Sequence, residues 1–199
     1  MSAGAIRRDG QAGITMVEMT VAITLLGLVL AMAFQGVTSY QRASAAASSR
    51  QQNLDEARTV MAVLTKDLRT ARSFSALAAG DVTFLGLLNT GATAPPNRIR
   101  LYADAQGVLR EAITAPDNPN ASPVTYTGTP TTRVVGRGLV STGSLLSFRD
   151  SADNPTTTVT EVTSVVITLS VDLPSVAPVP PTVLSSRVFL PNVAAASGA

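Results

Sequence analysis

The stretch GITMVEMTVAITLLGLVLAMAF, residues 13–34, decides how the rest of this chain is read. It is almost wholly apolar, yet it carries a carboxylate, Glu18, near its start. Beyond Glu18 no charge occurs from Met19 to Gln41. At a rise of ~1.5 Å per residue, about 20 residues cross ~30 Å of hydrocarbon, so this run is long enough to span a membrane. Thr20 and Thr24 do not spoil the span, because a helical Thr hydroxyl can donate back to a backbone carbonyl. Arg7 and Arg8 precede the run. Basic residues on that side predict an N-terminus held in the cytoplasm and a C-terminal bulk that is exported.

The whole chain has 199 residues, room for one ordinary domain plus an extension. Its apolar content of 45 % and mean hydropathy of +0.27 are high for a soluble protein, and the N-terminal run accounts for part of that. A net charge of +2, with no basic run interleaved with aromatics, gives no basis for a nucleic-acid partner. Cys and His are absent from the sequence. Disulfides, the common zinc sites and Ser-His or Cys-His nucleophile systems are therefore excluded.

Residues alone leave several readings of the first segment open. It could be a plain signal anchor. It could be a cleaved secretory signal, with Ala31-Met32-Ala33 as an A-x-A site before Phe34. A twin-arginine signal is disfavoured, because Asp9-Gly10 follows the pair. The third reading is a resemblance. Gly13-Ile14-Thr15-Met16-Val17-Glu18 is similar to the cleavage and methylation site of type IV prepilins, usually written G-F-T-L-I-E. Neither other reading accounts for Glu18.

The resemblance implies a cut by prepilin peptidase between Gly13 and Ile14, on the cytoplasmic side of the span. Ile14 would be the new, N-methylated terminus, although the family more often has Phe there. Glu18 would be the fifth-position acid that pairs with the terminal amine of a neighbouring subunit. An unpaired carboxylate in lipid or a filament core is costly, and a partner chain's amine recovers much of that cost.

After Tyr40 the chain turns polar but lacks Pro until Pro95. Ala47, Leu54, Met61 and Leu68 recur every seven residues, with Ala57, Leu64 and Ala71 between them. That spacing predicts one helix from about Thr15 to about Phe74, ended by Gly80-Asp81. From Val82 the pattern becomes short and alternating. Arg98–Tyr102 and Val108–Ile113 predict a hairpin about Asp104–Gly107. Leu145–Arg149, Val162–Asp172 and Val183–Leu190 predict further strands. Loops are expected at 92–97, 115–131 and 175–181.

The expected fold class is α+β, pilin-like: a long N-terminal helix, transmembrane in its first half, packed on a C-terminal antiparallel sheet. The expected divisions are a leader at 1–13, a membrane or filament-core helix at 14–40, its amphipathic continuation at 41–79, a β-domain at 80–191 and a flexible tail at 192–199. Lys66–Arg72, Gly107–Arg110, Ser164–Val171 and Ser186–Asn192 resemble phrases of J-type minor pseudopilins and W-type minor pilins. The resemblance implies other pilins or pseudopilins, prepilin peptidase, an assembly platform and the cytoplasmic membrane as partners. With no catalytic constellation in the sequence, neither catalysis nor a cofactor is expected. A membrane-anchored binding or sensor domain that never polymerises is the competing class.

Four weaker motifs read as structure. Asp150–Asn154 and Asp117–Asn120 offer oxygen ligands but no full EF-hand, so turns are expected. Gly136-Arg137-Gly138 is too short for a phosphate loop. Glu111 and Glu161, conceivable as an acid pair, are expected on strand surfaces.

Overall fold

The long helix starts where the chain first meets a cap. A computed structural model describes residues 15–87, 95–140, 142–175 and 177–196. In it α1 runs Met16–Arg69. The chain divides into two compact units at Ser44/Ala45.

Residues 15–44 of the first unit are helical from Met16. Thr15 caps this start: its Oγ1 accepts from the Glu18 N–H at 3.2 Å, and its carbonyl accepts from Met19 N–H at 3.1 Å. Thr20 and Thr24 donate to the carbonyls of Met16 and Thr20, both at 2.8 Å. The polar hydroxyls of the apolar run are thus satisfied inside the helix, as a lipid environment requires.

In the second unit the rest of α1, from Ala45, packs on β-structure. Asn53, Ala57, Val60, Leu64, Asp67 and Leu68 are buried, in steps of three and four. This face is turned slightly from the predicted stripe. Ala57, Leu64 and Leu68 are in the core, Leu54 and Met61 lie on its flank, and Ala47 is exposed.

The helix ends at Arg69, earlier than expected, and residues 71–74 are strand. Thr70 closes the last turn, with its N–H and Oγ1 both donating to the Asp67 carbonyl at 3.0 and 2.7 Å. Strand β1 (Ala71–Ala78) and β2 (Asp81–Gly86) then form a hairpin. Gly80-Asp81 therefore belongs to a strand–strand turn and does not stop a helix. Packing drives the change: the Phe74 ring meets Phe84 at 5.9 Å and Phe148 at 6.0 Å between centroids. Aromatic contacts of this kind contribute beyond the area they bury.

The hairpin of β3 (Asn97–Ala103) and β4 (Leu109–Thr114) is found as predicted, with Ile99 opposite Ile113. Gly107 sits at φ +71° in its turn, where a Cβ would run into the Leu139 carbonyl oxygen. Strand β5 (Thr131–Gly136), not foreseen, completes a five-stranded antiparallel sheet ordered β1-β2-β3-β4-β5. The remaining strands, β6 (Leu146–Arg149), β7 (Ser164–Val171) and β8 (Thr182–Phe189), match the predicted ones. They form a second, three-stranded sheet, so the expected single sheet is two.

The core is shared. Val60, Leu64 and Leu68 of α1 join Phe84, Ile99 and Leu101 of the first sheet and Val165, Ile167 and Leu169 of the second in one buried cluster. Backbone bonds also tie the sheets, as from Leu146 N–H to the Ala79 carbonyl at 2.8 Å. The segment after β8 is not simply frayed. Residues Pro191–Ala196 form a short helix, α2, with Val193 buried, and Asn192 donates to the free Arg69 carbonyl at 3.1 Å.

Candidate processing and assembly segment

Gly13 and Ile14, the residues expected to flank a peptidase cut, lie outside the described residues. Glu18 lies inside, in the first turn of α1, and is exposed. Thr15 and Glu18 stand as cap and third helical residue, the T-x-x-E spacing of a capping box. A carboxylate there also faces the positive end of the helix dipole. Glu18 thus has a reason for its place within its own helix. The T-x-x-E spacing before an apolar run is the sequence signal of this cap.

The helix beyond Glu18 carries an unbroken apolar surface. Met19, Ile23, Leu26, Leu30, Phe34 and Val37 are all about half exposed or more. An 18-residue window of α1 has a mean hydropathy of 2.2 and none of it is buried. Gly27 and Gly36 have nothing within 4 Å of where a Cβ would sit, leaving two shallow places on the helix surface. An apolar surface this continuous is stable only in lipid or against other apolar helices.

Residues 8–34 match the family model of the prokaryotic N-terminal methylation motif. The match spans Gly13, Ile14 and Glu18 and supports a type IV pilin-like protein of the class processed by prepilin peptidase. Together with the apolar helix it supports anchoring in a membrane, and association in general terms with other pilins and with that peptidase. It also suggests a structural subunit rather than an enzyme. No curated protein and no solved structure matches the chain.

Among its described residues the second unit also holds a charged cluster that no local sequence pattern marks. Asp67 on α1 and Glu111 on β4 are both buried, and Arg133 on β5 reaches them from outside. Arg133 pairs with Glu111 and stands 3.7 Å from Asp67. Asp67 Oδ2 and Glu111 Oε1 have no hydrogen-bond partner among the described residues. Burial, and then the Glu111 charge, push the Asp67 carboxyl up from 3.8 to about 6, while Arg133 and Lys66 act in the opposite direction. Glu111 is thus not the strand-surface acid expected, because β4 is an interior strand covered by α1. Glu161 is elsewhere, accepting from Thr156 Oγ1 at 3.0 Å, so the structure does not pair the two glutamates.

The other weak motifs serve turns. Asp150 Oδ1 accepts from the Ala152 and Asn154 N–H groups at 2.9 and 2.8 Å, which holds its carboxyl below the usual range. Asp117 accepts from the Thr127 and Gly128 N–H groups with the same effect on its carboxyl. Gly136 lies against Val60, and Gly138 takes φ +71° in the turn that leads on to Leu139.

Proposed function

We propose that this chain is a minor pilin or pseudopilin, a structural subunit of a type IV pilus, a type II secretion pseudopilus or a DNA-uptake pilus. The observation that carries this reading is the G-I-T-M-V-E motif of residues 13–18, within the matched segment and followed at once by an exposed apolar helix. Prepilin peptidase cuts between Gly13 and Ile14, and Ile14 is then N-methylated. The subunit waits in the cytoplasmic membrane as a single-pass protein, N-terminus inside and β-domain exported. It joins a filament by packing its apolar helix against those of its neighbours. Glu18 sets the register through the Ile14 amine of the next subunit. Within the family, the J-type minor pseudopilins and W-type minor pilins are the subclass we favour, on the four phrases that resemble them.

N-terminal sequencing of the chain recovered from membranes tests the proposal. A methylated Ile14 terminus is expected, and Gly13→Leu is expected to leave the precursor uncut, because a bulky side chain crowds the peptidase at the scissile bond. A terminus at Met1 would instead mean an anchored domain that does not polymerise, and one at Phe34 a secretory signal.

A further inference from the structure

Strand β8 is an edge: β7 pairs along its whole length on one side, and no described strand pairs on the other. The other sheet edges are occupied or blunted. Near β1, α2 packs and bonds through Asn192 to the end of α1. At β6, Arg149 is bridged to Pro155. Strand β5 is polar in sequence (Thr131-Thr132-Arg133) and its ladder to β4 is broken by a register shift.

Beside β8 lies a groove of about 570 Å³. Its floor is Met61 and Ala62 of α1 with Leu184 of β8. Lys66 and Arg69 stand at one end and Arg58, 3.8 Å from Asp55, at the other, and no acid lines the groove itself. These α1 residues, at 58, 61, 62, 65, 66 and 69, recur as pairs three and four positions on, so they form a single helix face. From Arg58 to Arg69 that face is ~16 Å long, the length of about five strand residues. On the opposite face of β8, Val183 and Phe189 are 61 % and 66 % exposed. A strand laid against β8 would cover Met61 and Ala62 with alternate side chains and stand beside Val183 and Phe189 with the others.

We infer that the free edge of β8 and the groove beside it bind an extended segment of a partner protein, apolar over about five residues and acidic at both ends. The backbone edge supplies pairing. The apolar floor selects β-branched or aromatic side chains. The basic ends select the acids and set the segment's position. The inference stands on the second unit alone and holds whether or not the chain is a pilin.

The probe is a labelled peptide of alternating valine and threonine with two glutamates at each end, titrated against the full chain in detergent micelles and followed by fluorescence anisotropy. Saturable binding is expected, and the same peptide ended in lysines is expected not to bind. N-methylation of the backbone amides along one edge of the peptide should weaken binding about tenfold or more, the signature of strand pairing. Lys66→Glu with Arg69→Glu should also weaken it about tenfold and shift preference toward the lysine-ended peptide. Both residues are exposed, but Lys66 also offsets the Asp67 charge, so the variant's thermal melt should stay cooperative at a somewhat lower temperature. Failure of the acidic peptide to bind, equal binding of both peptides, or indifference to N-methylation would overturn the inference. So would a self-dimer, or binding to phosphatidylglycerol vesicles in place of the peptide, that the double charge reversal abolishes.

Discussion

Asp67→Asn is expected to stabilise the β-domain at neutral pH and to leave it unchanged in acid. Asp67 sits in the last turn of α1 with a side chain only 2 % exposed, beside Glu111 and 3.7 Å from Arg133. Fully ionised, the three groups carry one excess negative charge in a buried site. The folded protein lifts the Asp67 pKa from 3.8 to about 6, through burial first and the Glu111 charge second. A folded pKa above the unfolded one means that the folded state binds the proton more tightly. Stability therefore falls as pH rises from about 4 through about 6, and the full cost is present above that window. The shift is about 2 units, and at ~1.4 kcal/mol per unit the cost of ionising Asp67 is ~3 kcal/mol. Asn keeps the shape of the protonated acid, donates to Glu111, and leaves Glu111 and Arg133 as a neutral pair. Urea unfolding of residues 45–199, followed by far-UV circular dichroism at pH 4 to 8, measures this. The variant should exceed the parent by ~2–3 kcal/mol at pH 8, match it near pH 4, and lose most of the slope between. A parent curve flat across pH 4–8, or a variant less stable at pH 8, would refute the reasoning.

Residues 45–199, expressed alone, should be monomeric and melt cooperatively, since Ala57, Val60, Leu64 and Leu68 still cover both sheets; a non-cooperative dichroism melt would contradict the two-layer core. Gly107→Ala should cost ~1–3 kcal/mol in the same urea assay, because φ +71° and the Leu139 carbonyl both oppose a Cβ there. Glu18→Gln should leave membrane insertion and cleavage intact but reduce recovery of partner pilins from solubilised membranes, the stranded amine costing roughly 3–5 kcal/mol where its neighbour's acid is gone. Because Gln also suits the third position of a capping box, the helix start should survive. Equal recovery of partners and equal filament numbers in cells would reduce Glu18 to a capping and headgroup-level charge.

The sequence by itself determined the parts whose signals are local. A charge-free run foretold the apolar first part of α1, six consecutive residues lie in the matched methylation motif, and strict alternation located β3, β4 and β7. Where tertiary contacts rule, local pattern misled. In β1, irregular pairing at Arg72 and Ser75 leaves Ala71, Phe74 and Leu77 inward at three-residue steps, which reads in sequence as a continuing helix stripe. Only the approach of Phe84 and Phe148 to Phe74 makes it a strand. The division into two sheets was equally invisible, because pairing partners are a matter of which strands meet in space and leave no period in the chain. Asp67, Glu111 and Arg133 are 44 and 22 residues apart in sequence order, each ordinary among its neighbours. Folding α1 over β4 and β5 brings them together, and the loss of water around Asp67 beside the Glu111 charge raises its pKa.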